Sequence, residues 1–345
     1  MACTTGGSPA VTSPDLVGFN RRYLVDVLSP GDIPPITRPL MGSLGAAAEW
    51  LGSDAPVIVV RDGKSARAYP LAILEQHEVV DETIAGVPVA ITYSPIANAA
   101  VVFDRRVRNL TLTFATSGKV YLGDMVMYDR ETKSLWPQMI GAAAAGELKG
   151  ATLTVVPSQL SSFADFAVAY PRGTVLSRPG SFTYASTPYP GYDSRAAPYD
   201  GFFLGRLDTR VPAMARVVGV VDGGGARAYP YATLGARGNP TVVTDGDLVV
   251  FWGGSARSPL NTSLISDGRV VSSSGVFRPR ARGKTLHFSV DNGVIKDRET
   301  GSTWSLDGAA LKGPLKGAEL PEVQHVDAFW FAWAAFQRST TIWPG

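Results

Sequence analysis

The octapeptide Asp129-Arg130-Glu131-Thr132-Lys133-Ser134-Leu135-Trp136 is spelled again near the other end of the chain as Asp297-Arg298-Glu299-Thr300-Gly301-Ser302-Thr303-Trp304. A chain that writes D-R-E-T-x-S-x-W twice is committed to building the same local structure twice. A charged cluster, small hydroxyl residues and then one Trp suit a hairpin whose far strand buries an indole. In this reading Asp129 and Arg130, with Asp297 and Arg298, form turn-fixing ion pairs, and Trp136 and Trp304 belong to cores.

The repetition extends to both sides of the octapeptide. Ala66-Arg67-Ala68-Tyr69-Pro70 returns as Ala226-Arg227-Ala228-Tyr229-Pro230, each after an apolar run and a glycine turn, Val57 to Gly63 and Val217 to Gly223. Each half therefore opens with a strand, tight turn and strand. Downstream, Gly146-Glu147-Leu148-Lys149-Gly150 matches Gly313-Pro314-Leu315-Lys316-Gly317, and Phe163 to Tyr170 matches Phe329 to Phe336, so each half closes on a short helix. A period this long means two copies of a domain, because solenoid repeats are several times shorter.

The fold class that follows is mostly β (all-β or α+β): two homologous β-rich repeats with short helices in a pseudo-twofold arrangement. The 37 glycines and 25 prolines support many short strands and turns. The boundaries are a flexible N-terminal linker at 1–14, a first repeat at 15–176, a Gly/Pro/Tyr-rich connection at 177–208 and a second, degenerate repeat at 209–345. Within the first repeat the pattern predicts a helix over Leu71 to His77 and strands at Val87 to Tyr93, Ala100 to Phe103, Leu110 to Phe114 and Met125 to Tyr128, with alternation clearest in Leu110 to Phe114. The prolines of Asp32-Ile33-Pro34-Pro35-Ile36 hold an extended segment.

With 32 basic against 30 acidic residues, the charge gives no reason to propose a nucleic-acid partner. No apolar run reaches the roughly 18 residues that a transmembrane helix needs. Cys3 is the single cysteine, so no intramolecular disulfide and no thiolate cage can form. It precedes a Thr/Gly/Ser/Pro tether like that following the acylated cysteine of a bacterial lipoprotein. If Met1 is the true start the protein is cytoplasmic; if Cys3 follows a removed signal peptide it is extracytoplasmic and lipid-anchored. The oligomeric state is not legible.

Six ordered motifs carry a resemblance to a prokaryotic family known as domain of unknown function 3179: Gly31 to Ile36, Ala66 to Leu71 with His77-Glu78, Thr92-Tyr93-Ser94-Pro95-Ile96-Ala97, Val102 to Arg105, Met127 to Trp136, and His325 to Trp333. The resemblance implies no established activity. In the family pattern two cysteines three apart sit near the H-E pair, a soft-metal or redox site beside an imidazole and a carboxylate. Here those positions are Ser94 and Ala97, so that chemistry is judged lost, with no cofactor and no metal expected.

The chemistry-bearing residues that remain are His77, Glu78, Tyr93 and Ser94, taken as the catalytic set, with Glu78 and Asp81 as groups that could orient His77. Tyr69, Tyr184, Tyr189 and Tyr192 are taken as ligand-binding. The segment Tyr184 to Tyr192 is too aromatic for a solvated linker and is expected to pack over the junction of the halves. Any chemistry belongs to the first half, because the second reads Leu234-Gly235-Ala236-Arg237 where the first has Leu74-Glu75-Gln76-His77. The expectation is a cofactor-independent enzyme of the cyclisation, isomerisation or elimination type acting on a small organic molecule. The alternative is an extracytoplasmic lipoprotein with a binding or scaffold role. A residual metal site would need His77, Glu78 and His325 to converge, and Asp327 reads either as a site residue or as a helix cap.

Overall fold

The structure, a computed structural model, describes residues 19–345 apart from 64, 181–183 and 224. Cys3 and the N-terminal linker lie outside the described residues. The chain is mostly β, with five short α-helices among the described residues.

The first hairpin, Pro56–Asp62 with Ser65–Pro70, is the centre of a five-stranded sheet. Gln159–Ser162 adds antiparallel on one side of it and Thr174–Leu176 adds parallel on the other. The second half repeats these connections. There the hairpin Arg216–Asp222 with Gly225–Pro230 takes His325–Phe329 antiparallel and Thr341–Ile342 parallel. The motif A-R-A-Y-P explains itself at this point. Arg67 and the Tyr69 hydroxyl both grip Glu82, and Arg227 and the Tyr229 hydroxyl both grip Asp245 on the corresponding strand. The Tyr69 hydroxyl, expected against a ligand, is thus bonded to Glu82, and the side chain is buried.

Each hairpin is followed by a helix, Leu71–His77 in one half and Tyr231–Gly235 in the other, and then by antiparallel strands. In the first half Val79–Ile84, Val87–Ser94 and Ala99–Asp104 form one sheet with Thr154–Val156, and Phe114–Tyr121, Asp124–Asp129 and Leu135–Pro137 form another with Leu24–Asp26. The predicted strand Leu110 to Phe114 is broken. Its burial alternates only in part, with Leu112 and Phe114 inside but Leu110 exposed. Its ladder stops because the Thr113 carbonyl and amide bond to Arg130 and Glu131 of the repeated turn.

That turn is held by hydrogen bonds, not by the ion pairs expected from its spelling. Asp129, fully buried, accepts from the Thr132 amide and hydroxyl, the Ser134 amide and the Trp136 indole, the last at 2.9 Å. Asp297 repeats the arrangement with Thr300 and with Trp304, again at 2.9 Å. A buried carboxyl that accepts several N–H and O–H bonds needs no cation to satisfy its oxygens. Ser134 and Ser302 turn their hydroxyls to the amides of Leu148 and Leu315, so the G-x-L-K-G segments are pinned to the same turns. The buried indoles pack edge-on against Phe114 and Phe288.

One apolar cluster runs through both halves, from Phe114 and Trp136 to Trp330 and Trp333. The connecting segment wedges into it. Tyr192 stacks on Tyr199, meets Phe329 edge-on and donates its hydroxyl to the Ile96 carbonyl. The expected packing of this segment over the junction is what these contacts describe, and Tyr192 is a packing residue.

Candidate functional site

The helix Leu71–His77 ends on Glu78, which adopts the left-handed conformation at φ 55°. Its amide bonds the Leu74 carbonyl at 2.7 Å and its carbonyl accepts the Tyr93 amide at 2.9 Å. This helix-terminating position ordinarily suits Gly or Asn, since a Cβ is strained there. The backbone bonds turn the Glu78 side chain into the protein, where it is only 6 % exposed.

There it lines a cavity of about 40 Å³ with Ser94, Tyr189 and apolar walls that include Ile33, Met125 and Phe202. The shape comes from a bulge. The pairing of Phe114–Tyr121 with Asp124–Asp129 shifts register between Thr116 and Lys119, which bends the strand away from its neighbour. At the bulge Gly118 has φ +72°, and a Cβ there would sit 2.0 Å from the Leu28 carbonyl oxygen. Only glycine lets the segment Val27 to Ile33 close over the cavity, held by the amides of Val27 and Leu28 on the Gly118 carbonyl at 2.9 and 3.0 Å.

Two further carboxyls stand beside Glu78. Asp124, wholly buried, accepts the Met139 amide at 2.8 Å through Oδ2, while its Oδ1 makes no hydrogen bond. Glu75, one helical turn before Glu78, leaves both carboxyl oxygens without a hydrogen bond. Burial pushes Glu78 up to about 8, and the nearby Asp124 charge adds to the shift. Burial raises Asp124 to about 7 against the partial help of the Met139 amide and the neighbouring Ser94 hydroxyl. Glu75 rises well above the usual carboxylate range, again through burial, with Thr187 and Arg216 opposing. Neither Glu78 nor Asp124 has an ion-pair partner among the described residues. Near neutral pH Glu78 is therefore held mainly as an acid able to give up a proton, while Asp124, lying lower, is shared between acid and carboxylate.

The four residues taken as catalytic do not meet. Glu78 and Ser94 share the cavity, joined by Tyr189. His77 points elsewhere. Its Nδ1 donates to the Pro34 carbonyl at 2.7 Å, and its Nε2 lies 2.9 Å from the Tyr184 hydroxyl. The imidazole thus ties the Asp32 to Ile36 segment and Tyr184 to the helix end, and neither Glu78 nor Asp81 orients it. Asp81 instead accepts the Phe114 amide at 2.9 Å and faces Arg105. Tyr93, adjacent in sequence to Ser94, projects from the opposite face of its strand. Its hydroxyl donates to Asn98 at 3.2 Å.

Tyr93 lines a second, smaller cavity of about 20 Å³ between the halves, with Gln159, Arg216, His325 and Asp327. Three buried atoms of these side chains, Gln159 Oε1, Arg216 Nε and His325 Nε2, have no hydrogen-bond partner among the described residues. Asp327 is not a helix cap. It sits within a strand and accepts the hydroxyls of Tyr231 and Ser274, both at 2.6 Å. His77, Glu78 and His325 do not converge, and among the described residues no group of three or more His, Cys, Asp or Glu side chains is placed to hold a metal ion.

Glu75 and Asp124 are the residues that the sequence reading missed. For Glu75 the signal was present, three residues before Glu78 on one helix face and replaced by Gly235 in the other half. For Asp124 there was none, because an Asp after Gly123 reads as an ordinary turn residue.

Fold and cavity define a mostly β chain with a small, acid-bearing cavity lined by its first half and the connecting segment. The chain belongs to the family described as protein of unknown function (DUF3179), whose model matches residues 30–340. No curated protein and no solved structure matches it. No helix among the described residues is long and apolar enough to cross a membrane.

Proposed function

We propose that the protein is an acid–base catalyst of a small, uncharged organic molecule, of the isomerisation, cyclisation or elimination type, with Glu78 as the proton donor. The observation that carries this reading is a buried carboxyl raised to about 8, held in a left-handed backbone conformation and facing a cavity with mostly apolar walls. Of the nine described non-glycine residues with positive φ, Glu78 is the one that lines this cavity, and strain kept at such a place points toward function. An acid whose pKa lies near the working pH is suited to donating a proton. Lys119, the cation among the described lining residues, is paired with Asp26, so these walls present no unpaired positive charge for an anionic substrate.

The cavity of about 40 Å³ is far below the roughly 300–1,000 Å³ of a pocket filled by an organic ligand. In this reading the substrate enters when the segment Val27 to Ile33 swings off the Gly118 bulge, and closure then excludes water from the acid. Tyr189 forms part of the wall.

The test is native mass spectrometry of the protein purified gently from its own host, with metal analysis of the same sample. A bound organic molecule without stoichiometric metal supports the reading, and the Glu78→Gln variant should then bind that molecule without converting it. A stoichiometric metal lost from the Glu78→Gln variant overturns it, since the raised carboxyls would then be metal ligands.

A further inference from the structure

An acid that gives a proton away in a small, mostly apolar cavity needs a group to take one back. Ser94 lines the cavity, and its Oγ accepts the Met125 amide at 3.2 Å and, more weakly, the Ala97 amide at 3.5 Å. The Met125 amide holds one lone pair, the other is engaged only at the 3.5 Å limit and can take a proton from the cavity, and the hydroxyl hydrogen is left for the neighbouring carboxyl, Asp124. That carboxyl is wholly buried and has one oxygen, Oδ1, without a hydrogen bond. A buried carboxyl oxygen left unpartnered is costly, and its persistence behind a cavity-lining hydroxyl calls for a role.

We propose that Asp124 is the second proton-transfer group of this cavity, acting through the Ser94 hydroxyl, so that the site protonates its substrate at one atom and deprotonates it at another. This rests on the reading of Glu78 as donor. It narrows the substrate class to uncharged molecules that carry a basic oxygen or an electron-rich double bond together with a removable C–H proton.

In the step, the Glu78 O–H bond breaks and its proton bonds to the basic atom of the substrate. A substrate C–H bond breaks, and its electron pair stays in the substrate as a new double bond. The released proton goes to Ser94 Oγ as the Ser94 hydroxyl proton passes to Asp124. The Met125 amide stabilises the charge that develops on Oγ during the transfer. Glu78 ends as carboxylate and Asp124 as acid, and return of a proton from Asp124 to Glu78 resets the site. No oxidant or reductant is consumed, and substrate and product are isomers. Glu75 and Tyr189 also stand beside Glu78, and neither supplies a positive charge that would hold it ionised.

The experiment needs no substrate: infrared spectroscopy of the carboxylic-acid C=O bands of the purified full chain across a pH series, for wild type, Glu78→Gln, Asp124→Asn and Ser94→Ala. Two titrating bands are expected, one lost in each carboxyl variant. The Glu78 band should titrate at lower pH in Asp124→Asn than in wild type, because the charge that helps to raise it has gone. Ser94→Ala, which removes only a small hydroxyl, should move the Asp124 band and leave the Glu78 band in place. If the Glu78 band titrates identically in wild type and Asp124→Asn, or if Ser94→Ala leaves the Asp124 band unmoved, the relay is wrong while Glu78 stands as donor. If wild type shows no protonated Glu78 near neutral pH, the donor reading itself falls.

Discussion

The Glu78 carbonyl accepts the Tyr93 amide at 2.9 Å, so the residue that ends the helix also begins the strand pairing that carries Ser94. A glutamate is the wrong residue for that corner by backbone criteria, with φ at 55°. Glu78→Gly should therefore stabilise the fold by on the order of 1–3 kcal/mol, the usual cost of a strained non-glycine residue, while abolishing any activity. Urea denaturation of the two proteins reads the difference. A variant less stable than wild type would mean that the side chain is a structural support.

Stability should also fall as pH rises. Glu78, raised from 4.5 to about 8 by burial and by Asp124, binds its proton in the folded state after the unfolded chain has released it. Between about 4.5 and about 8 the native state thus holds more protons than the unfolded state, and stability declines through that window and levels above it. Glu78→Gln removes this contribution. Thermal melts at pH 5 and pH 8 should show a gap that widens in favour of the variant at the higher pH, and parallel melts would contradict the raised pKa.

Asp129→Ala and Asp297→Ala should each cost roughly 3 kcal/mol, since each leaves buried donors, including an indole N–H, without an acceptor. The matched bonds in the two halves predict losses of similar size. Denaturant midpoints, with Trp fluorescence as the reporter, measure both.

His77→Ala should behave as a structural lesion. Losing the bonds to Pro34 and Tyr184 releases the segment that Ile36 ties to Val79, so hydrogen exchange should quicken at the Ile36 and Asp81 amides. The expected loss is about 1–3 kcal/mol. If stability and exchange are unchanged while turnover is lost, the imidazole acts in the chemistry after all.

The junction cavity of about 20 Å³ should hold about one or two ordered waters. Its unpartnered atoms, a donor at Arg216 and acceptors at Gln159 and at the His325 nitrogen left over once Nδ1 donates to Val323, suit a molecule that both gives and accepts hydrogen bonds. A high-resolution crystal structure decides, and halide density at Arg216 would refute it.

How much of this was legible in the sequence differs by level. The hairpins, the helix Leu71 to His77 and the buried indoles follow from local pattern, because periodicity and turn chemistry act over a few residues. The candidate site is less legible because burial decides it. Nothing local tells that Glu78 faces inward while His77, its neighbour, bonds outward to Pro34. Asp124 is invisible for the same reason, since a carboxyl becomes an acid only through the residues that close over it. The repeated D-R-E-T turn misled in a narrower way. Adjacent Asp and Arg suggest an ion pair, whereas the geometry of a tight turn brings its own amides to the carboxylate first.

The apolar cluster that joins Phe114 and Trp136 to Trp330 and Trp333 sets how the molecule comes apart. A chain cut after the first half would leave that aromatic face open to water, and a second half made alone would bare its mate. The two segments should fail separately as soluble products yet recover one another when produced together, behaving as obligate partners that happen to be joined by a peptide bond.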